Sequence, residues 1–489
     1  MGRHQKVNLS DDGIDRRKTG YYSTPDFVVE YIVRRCLDIK PSSMSALDPC
    51  VGKGEFTQHL KKAGLSTKGV DVLNMEPIGV DEFIQADFIQ LALGQKSFGS
   101  SHPSELSPDI FVANPPYNCH ETEYIRANKS ALADAYGKHA VLNMYALFLA
   151  AMIRVARPGS VIGAITLDSF LTARGYEPLR KQIFSECTIH ELRLCPTDLF
   201  RSQGADVRTC IIILEKGVSD DVAAKVSSRP PDTFSFRRAL QNAPALTVNR
   251  DLLFLSGNDD RFEIQVDVPD EVLSLFDERR LGQVAPCVTG ISTGKDKEYI
   301  SHSRSDKFSF PFYKNPGSKR FYAPPGGYLT SDFLEISERV PNFMVRNKNL
   351  LFKGGISCSS MGVQFGAALL PENSTFGVNA NIIVSGEAQW EMLAYLNSSL
   401  ANFMVRSVLI RSNMITAGYV SRIPYPQLSK KSLNYMSAIA REAYSQRCSP
   451  KQSKKFVTEI DEVLNSEIGL TPETVAKIDK FCSDIVRLT

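Results

Sequence analysis

The sequence predicts an α/β protein with a mostly parallel sheet that helices cover on both faces. Strand and helix patterns alternate over roughly the first 200 residues, as they do where helical crossovers join parallel strands. From residue 280 to 426 the chain is instead rich in glycine, serine, asparagine, proline and aromatic residues, and helical spacing returns afterwards. We expect a basic N-terminal arm over 1–20, an α/β domain over 21–235, a mixed α+β domain over 236–430 and a helical segment over 431–489.

The first elements of the α/β domain are a helix and three short strands. The helix pattern begins at "STPDFVVEYIV", where Ser23 or Thr24 is expected as the cap and Pro25 at the first helical position. Strand patterns follow in "MSALDPCVGKGEF", "TKGVDVL" and "EFIQADFIQ". The first of these strands runs into a glycine-containing loop and a second helix.

The later elements begin with a strand in the stretch "DIFVANPPYNC". A fourth strand there must end at Asn114, because Pro115 and Pro116 cannot donate backbone hydrogen bonds. A long apolar helix over 141–155 and strands in "SVIGAITL", "IHELRL" and "TCIIILEKG" complete the alternation. The polar, proline-bearing stretch after Gly217 predicts a linker.

Length and composition limit the possible functions. The chain of 489 residues exceeds the roughly 250 to 300 at which single cores stop growing, so several domains are expected. The net charge is only +3, so a polyanion would have to meet a local basic surface. The ten cysteines form no C-x-x-C pair and follow no apolar leader, which favours a reduced, cytoplasmic protein with no metal site. No apolar run is long enough to suggest a membrane span.

Unusual polar residues and glycines follow successive strands of the predicted sheet, at the edge where open parallel sheets bind ligands. An acid after the second strand is typical of a ribose contact, and glycines let a ligand approach the backbone. The G-x-G-x-x-G and P-loop patterns are both absent, so a nucleoside without phosphates is expected rather than NAD or ATP. These residues are Asp48, Gly52, Gly54, Asp71, Asp87 and Phe88.

The order of five motifs resembles that of S-adenosylmethionine-dependent adenine-N6 DNA methyltransferases of the gamma class, found in bacterial restriction–modification systems. The motifs are "YSTP", "LDPCVGKGEF", "GVDV", "ADF" and "NPPY". Later stretches such as "YKNPGSKRFY" and "KGGISCSSMGVQFGA" are similar to the target-recognition region of that family. Val51 and Lys53 depart from its pattern. The resemblance implies a Rossmann-like class I methyltransferase domain with a seven-stranded sheet.

The resemblance also implies roles for single residues. Asn114 and the Pro115 carbonyl would accept the N–H bonds of adenine's exocyclic amine and aim its lone pair at the sulfonium methyl, with Pro116 and Tyr117 completing the catalytic set. Tyr117 and Phe200 would stack on a base turned out of the duplex. The residues expected to bind S-adenosylmethionine are Tyr22, Thr24, Pro25, Asp48, Cys50, Gly52, Gly54, Asp71, Asp87 and Phe88.

Recognition of a specific double-stranded DNA sequence is expected in the second domain. Residues 301–360 hold nine Lys or Arg against four Asp or Glu. Six aromatic residues from Phe308 to Tyr322 lie among them, a mixture that suits phosphate contacts and insertion into a groove. The residues expected to contact DNA are Lys314, Lys319, Arg320, Arg346, Arg411 and Asn413.

Alternative functions stay open at this point. An RNA or protein-glutamine methyltransferase would use the same N-P-P-Y chemistry, and an orphan adenine methyltransferase would set an epigenetic mark. The only loose nuclease pattern, Pro25–Asp26 with Asp38–Ile39–Lys40, lies inside the presumed cofactor segment and is interpreted as chance. We therefore expect a monomer that works beside a separate cognate restriction endonuclease.

Overall fold

The computed structural model describes residues 13, 20–94, 106–117, 122–137, 143–205, 207–242, 246–362, 364–411 and 414–488. Apart from Gly13 and Gly20, the predicted N-terminal arm lies outside the described residues, and so does the predicted DNA contact Asn413. The chain divides into two compact units. Unit 1 runs to Ser256 and includes Asp260–Asp267, whereas unit 2 comprises Gly257–Asp259 and the chain from Val268 onward.

Among the described residues, unit 1 is built on one nine-stranded sheet in the order β3-β2-β1-β4-β5-β7-β6-β8-β9. Strands β1 to β5 pair in parallel, and β7 is antiparallel to both β5 and β6. Two further strands, β10 and β11, form a separate antiparallel pair. The bounds are β1 Ser45–Asp48, β2 Ser66–Asp71, β3 Glu82–Gln85, β4 Ile110–Ala113, β5 Val161–Leu167, β6 Cys187–Leu194, β7 Thr209–Lys216, β8 Ala224–Ser227, β9 Leu246–Val248, β10 Phe254–Leu255 and β11 Glu263–Ile264.

Helices lie on both faces of this sheet. Side chains alternate along β4, so that Ile110 and Val112 share a buried cluster with α1 and α2, while Phe111 and Ala113 share another with α3, α6 and α7. The predicted α/β class with a mostly parallel sheet is therefore confirmed. The helices are α1 Asp26–Ile39, α2 Glu55–Lys62, α3 Phe88–Gly94, α4 Thr122–Ala127, α5 Lys129–Tyr136, α6 Met144–Val155, α7 Glu177–Glu186, α8 Thr233–Asn242 and α9 Arg250–Leu253, with short 3-10 helices at Asp168–Leu171, Arg174–Tyr176 and Arg201–Gln203.

The stretch after Gly217 is structured and is not the predicted linker. Ala224 and Val226 are buried and alternate with Lys225, which is exposed, as β8 pairs in parallel with β6. The sheet therefore extends beyond the seven strands that the resemblance implied. The strand pattern of β8 is only four residues long and lies among polar residues, so the sequence did not predict a strand there. The predicted boundary between residues 235 and 236 falls inside α8, whose Phe236 is buried in the cluster of α1 and α2.

Unit 2 has the predicted mixed α+β architecture with helices at its C-terminal end. Its sheets have the orders β12-β21-β18-β19, β14-β16-β15-β20 and β13-β17. The strands are β12 Cys287–Val288, β13 Ile291–Ser292, β14 Ile300–Ser301, β15 Phe308–Tyr313, β16 Gly327–Thr330, β17 Met344–Val345, β18 Gly355–Cys358, β19 Ala367–Leu370, β20 Thr375–Phe376 and β21 Asn381–Ile383.

Ten α-helices accompany these strands in the described part of unit 2. They are α10 Asp270–Ser274, α11 Leu281–Val284, α12 Asp296–Tyr299, α13 Phe333–Arg339, α14 Glu387–Leu396, α15 Ser399–Phe403, α16 Ala417–Val420, α17 Lys430–Ser445, α18 Ser453–Ile468 and α19 Pro472–Leu488, with 3-10 helices at Leu275–Asp277 and Lys348–Leu350 and a π-helical segment at Met404–Leu409. In the described part of the chain, no helix combines the length and apolar character needed to cross a membrane.

Candidate functional site

A cavity of about 460 Å³ opens in unit 1 where β1, β2 and β4 end. Its volume falls within the range of roughly 300 to 1,000 Å³ that is usual for small-molecule sites. Parallel pairing of these strands brings their carboxyl ends together, which is why residues distant in sequence meet there. The predicted site residues that line it are Tyr22, Thr24, Asp48, Cys50, Asp71, Asp87, Phe88, Asn114 and Pro116.

Asn114 follows β4, and its side-chain amide is held from two sides. Nδ2 donates to the carbonyl oxygen of Tyr22 at 2.8 Å and to Oγ1 of Thr24 at 2.9 Å. A carbonyl oxygen can only accept, so the contact with Tyr22 identifies the nitrogen end of the carboxamide. The other end, Oδ1, is buried and accepts no hydrogen bond from any residue that the structure describes. Asn114 therefore brings to the cavity wall a buried acceptor, Oδ1, that has no partner among the described residues.

The same contacts explain why α1 begins later than predicted. Pro25 is the residue before the first helical turn, and its carbonyl accepts the N–H groups of Val28 and Val29. Thr24 does not cap the helix, because its hydroxyl oxygen accepts from Asn114. Pro25 does not line the cavity, so its observed place is at the start of the helix.

Three carboxyl groups meet at the cavity, from Asp48, Asp71 and Glu55. Burial raises the pKa of Asp48 to about 8, and the neighbouring Glu55 and Asp71 act in the same direction, against the N–H of Cys50, which donates to Oδ1 at 3.0 Å. Burial also raises the pKa of Asp71. Carboxylates that are grouped and partly removed from water are stabilised by a cation, so this end of the cavity suits a positively charged ligand.

The two predicted glycines do not line the cavity but allow its wall to form. Gly52 and Gly54 have positive φ angles, 54° and 90°. A Cβ at Gly52 would lie 2.7 Å from the ring of Tyr21, and one at Gly54 would lie 2.3 Å from the carbonyl oxygen of Ile78. The N–H of Gly52 donates to Oδ2 of Asp71 at 3.0 Å, so the glycine loop also orients the acid after β2.

Two aromatic rings form another part of the cavity wall. Phe88 is buried and stacks on Phe148 of α6, with ring centroids 5.9 Å apart and planes at 19°. Oδ1 of Asp87 accepts the N–H of Ile89 at 2.9 Å, which fixes the carboxylate at the start of α3. Asp87 also bonds to the hydroxyl of Tyr124. An aromatic wall beside a fixed acceptor suits a heteroaromatic ring with an amino group.

Tyr117 and Phe200, the predicted base-stacking residues, lie in one aromatic cluster with Tyr22. The rings of Tyr117 and Phe200 meet edge to face at 6.0 Å, and both are buried, with 6% and 1% exposure. Tyr22 lies parallel to Tyr117 at 6.3 Å and edge-on to Phe200 at 6.4 Å. The two predicted stacking residues are therefore neighbours, and a base can enter between them only if a ring moves.

The sequence interpretation missed several residues that support the site. Hydroxyl groups of Tyr21 and Ser23 both donate to Oε1 of Glu55, at 2.5 and 2.8 Å. Glu55 lies inside the quoted motif "LDPCVGKGEF" and Tyr21 directly precedes "YSTP", so their positions could have identified them. Phe148 had no such signal, because nearly every residue of α6 is buried. Val51, which departs from the family's pattern, is buried and packs over Gly69.

The predicted DNA contacts of unit 2 lie in different environments. Lys319 and Arg346 are exposed, and Lys314 pairs with Asp296 at 2.6 Å. Arg320 instead donates to the carbonyl of Asn397 at 3.2 Å, and burial lowers its pKa. Arg411 is only 5% exposed. Arg320 is half-buried and Arg411 is buried, which is typical of structural residues, whereas Lys319 and Arg346 are exposed and can reach a phosphate.

Three of the six aromatic residues among those cations are too buried to insert into a groove. Phe312, Tyr313 and Phe321 are buried, and the first two belong to the same core cluster as Phe333 and Phe376. Phe312 and Tyr313 are consecutive, so their side chains leave opposite faces of β15 and both faces are covered at the end of the strand. For the three buried residues, the aromatic pattern that suggested nucleic-acid contact reflects the core of unit 2, whereas Phe308, Phe310 and Tyr322 are half-buried.

Comparisons with known proteins agree with the predicted relationship. Residues 80–200 match the family model described as Eco57I restriction-modification methylase. Over 228 residues the chain is 28% identical to the Type II methyltransferase M.BanIII of Aneurinibacillus aneurinilyticus, an alignment that covers 40% of this chain and 38% of that relative. The resemblance to methyltransferases of restriction–modification systems is confirmed, whereas membership of the gamma class stays a prediction.

Two solved structures share the fold over most of the chain. A nuclease-deletion mutant of the Type ISP restriction-modification enzyme LlaGI, in complex with a DNA substrate mimic, matches with a TM-score of 0.53 and 15% identity. That match covers 88% of this chain and 55% of the other. The ATP-dependent Type ISP restriction-modification enzyme LlaBIII bound to DNA matches with a TM-score of 0.50 and 11% identity, over 87% of this chain and 39% of the other. The present chain thus spans between a third and three fifths of these relatives.

Proposed function

We propose that this chain transfers a methyl group from S-adenosylmethionine to the N6 amine of an adenine in a specific double-stranded DNA sequence, as the modifying enzyme of a restriction–modification system. The observation that supports this most is the state of Asn114. Its amide nitrogen is held by Tyr22 and Thr24, and its buried oxygen is left as an acceptor in a residue that lines the cavity. An exocyclic amine offers the donor that this oxygen lacks.

The cavity residues fit the proposed cofactor. The acidic end formed by Asp48, Glu55 and Asp71 suits a ligand with a sulfonium and an ammonium group. Asp71 ends the second strand, where an acid commonly bonds ribose hydroxyls. Phe88, beside the carboxylate of Asp87, offers a flat wall and an acceptor for a purine ring. When bound, the cofactor supplies an electrophilic methyl group on sulfur.

The protein's part in the reaction is to position the amine. Oδ1 of Asn114 and the carbonyl oxygen of Pro115 would accept the two N–H bonds, which localises the nitrogen lone pair and directs it to the methyl carbon. Both acceptors are held rigidly, the first by its hydrogen bonds and the second by the consecutive prolines. The neutral amine attacks through its lone pair as the bond between the methyl carbon and sulfur breaks, and the methylated nitrogen then loses its surplus proton to water. No strong general base is therefore required before attack, and the preorganised acceptors need no reorganisation.

Adenine within a duplex must leave the base stack to reach these acceptors. Tyr117 and Phe200 are the rings proposed to hold it, after the cluster with Tyr22 opens. Lys319 and Arg346 of unit 2 are exposed and are the cations that we propose contact DNA phosphates. A separate nuclease that recognises the same sequence is the proposed partner.

Sequencing sensitive to modified bases tests the proposal directly. Unmethylated genomic DNA is incubated with the protein and isotopically labelled S-adenosylmethionine, and RNA and a total protein extract are treated in parallel. We expect label and N6-methyladenine in DNA at one recurring sequence, and neither with Asn114→Ala. Label confined to RNA, or to glutamine in protein, would establish one of the alternative activities instead.

A further inference from the structure

Gln203 holds together the two parts of the chain that form the proposed base site. Its side-chain Oε1 accepts the N–H of Ser23 at 2.9 Å, and its Nε2 donates to the carbonyl of the same residue at 2.7 Å. The carboxamide thus pairs with Ser23 as a neighbouring strand would, although 180 residues separate the two. A paired donor and acceptor fix both the position and the rotation of the bonded segment.

Ser23 lies between the two residues that orient Asn114. The amide nitrogen of Asn114 donates to the carbonyl of Tyr22 and to the hydroxyl oxygen of Thr24, which are the residues on either side of Ser23. Fixing the N–H and carbonyl of Ser23 therefore fixes both acceptors at once. Without them, the carboxamide of Asn114 can rotate and exchange the positions of its oxygen and nitrogen.

Gln203 also sets the loop that carries Phe200. It ends the 3-10 helix Arg201–Gln203, and its own N–H donates to the carbonyl of Phe200 at 3.0 Å. The carbonyl of Phe200 further accepts the N–H of Ala205 at 3.2 Å, which closes the turn. The ring of Phe200 contacts those of Tyr22 and Tyr117. One side chain therefore connects the proposed stacking ring with the segment that orients the proposed acceptor.

We propose that Gln203 is a positioning residue that keeps the Asn114 acceptor and the Phe200 ring in register for the target adenine. This inference rests on the proposed function. Gln203 does not line the cavity, but Tyr22 and Thr24 on either side of Ser23 do, so its loss should also loosen that part of the cavity wall. Its removal should slow methyl transfer more than it weakens the binding of S-adenosylmethionine.

The experiment compares Gln203→Ala with Ser202→Ala, an exposed position on the same 3-10 helix. For Gln203→Ala we expect the single-turnover rate of methyl transfer to fall at least about tenfold, because small misplacements of reacting groups are costly. The dissociation constant of S-adenosylmethionine, measured by calorimetry, should rise by a smaller factor than the transfer rate falls. The Ser202→Ala variant should match the wild type in both quantities.

Hydrogen exchange gives a measurement that does not depend on turnover. The amide of Ser23 should exchange faster in Gln203→Ala than in Ser202→Ala, because it loses its acceptor. Gln203→Glu should be as slow in transfer as Gln203→Ala, since a carboxylate cannot donate to the Ser23 carbonyl. Unchanged exchange at Ser23, or transfer by Gln203→Ala at the wild-type rate, would overturn this inference alone. A wild-type protein that transfers no methyl group to DNA would refute the proposed function and this role together.

Discussion

The side-chain nitrogen of Asn114 lies 2.9 Å from the hydroxyl oxygen of Thr24, and through this bond the start of the chain orients a group that follows the fourth strand. The two residues are 90 positions apart. Thr24 accepts from Asn114 instead of capping the helix that begins at Asp26. Thr24, which was predicted to contact the cofactor, thus orients the side chain of Asn114, the proposed acceptor of the substrate amine.

Replacing Asn114 tests the acceptor itself. We expect Asn114→Ala to lower the rate of methyl transfer by about a hundredfold to a thousandfold or more, the usual effect of losing a preorganised polar group at the reacting centre. Binding of S-adenosylmethionine, measured by calorimetry, should be largely retained. Near-normal turnover in this variant would exclude the mechanism.

Removing the hydroxyl of Thr24 tests its effect on Asn114. Thr24→Val keeps the shape of a buried side chain and deletes one acceptor, so we expect transfer to slow and the free energy of unfolding to fall by about 1 kcal/mol. The control is Thr188→Val, also buried, whose hydroxyl donates to the carbonyl of Gly217 away from the cavity. Both variants should lose stability, but only Thr24→Val should lose activity. Equal activity in the two would show that Thr24 has no role beyond packing.

The raised pKa of Asp48 predicts a pH dependence of stability. Between about pH 4, where an aspartate of the unfolded chain titrates, and about pH 8, the folded chain holds a proton on Asp48 that the unfolded chain has released. The contribution of Asp48 to stability therefore falls as pH rises through this interval. Asp48→Asn should raise the melting temperature relative to wild type more at pH 9 than at pH 5. Glu30→Gln, which removes a carboxyl group from an exposed position, is the control.

A cationic ligand should reverse the protonation of Asp48. Positive charge in the cavity favours the ionised carboxylate, so binding of S-adenosylmethionine should release a proton near pH 7. Calorimetric titrations in two buffers of different ionisation enthalpy measure that release. It should disappear in Asp48→Asn, and equal release by both proteins would assign the proton to another group.

Phe200 can be tested against a matched core residue. Phe200 and Phe236 are each 1% exposed and belong to the same buried cluster, so leucine at either position should cost about 1 kcal/mol of stability. Only Phe200→Leu should weaken the stacking of a target base. The fluorescence of 2-aminopurine placed at the methylated position reports base flipping, and an equal signal from both variants would remove Phe200 from the base site.

The proposed phosphate contacts of the exposed cations in unit 2 can be tested by the salt dependence of DNA binding. Lys319→Ala and Arg346→Ala should each weaken DNA binding and reduce the slope of log K against log salt by about one. Lys62→Ala, an exposed position on α2, serves as the control. A slope unchanged from that of the control would place the phosphate contacts elsewhere.

The sequence predicted the sheet well because alternating strands and helices are a strong signal over a long stretch. It also located Asp48 and Asp71, which end their strands, and Asp87, which follows one, because acidic side chains are unusual in a core. It missed β8, whose four residues lie in polar surroundings, and Phe148, which looks like any other residue of a buried helix. Bonds between distant segments leave no local pattern to detect.

In unit 2 the sequence indicated which residues are charged but not which of them are buried. Arg320 and Lys319 are adjacent, yet Lys319 is exposed and Arg320 bonds to the backbone inside the unit. Phe312 and Tyr313 sit among cations in sequence and pack in the core in space. Composition alone therefore identified a basic segment without showing which of its side chains reach solvent.

Gly54 allows a neighbouring loop to pack closely against the wall of the cavity. A methyl group there would meet the backbone oxygen of Ile78 at 2.3 Å, so the loop that carries Leu73 and Met75 along the cavity would have to lift. An alanine at this position would also have to adopt a φ of 90°, which side chains with a Cβ rarely do. We expect Gly54→Ala to displace this loop from the cavity and to raise the dissociation constant of S-adenosylmethionine, measured by calorimetry.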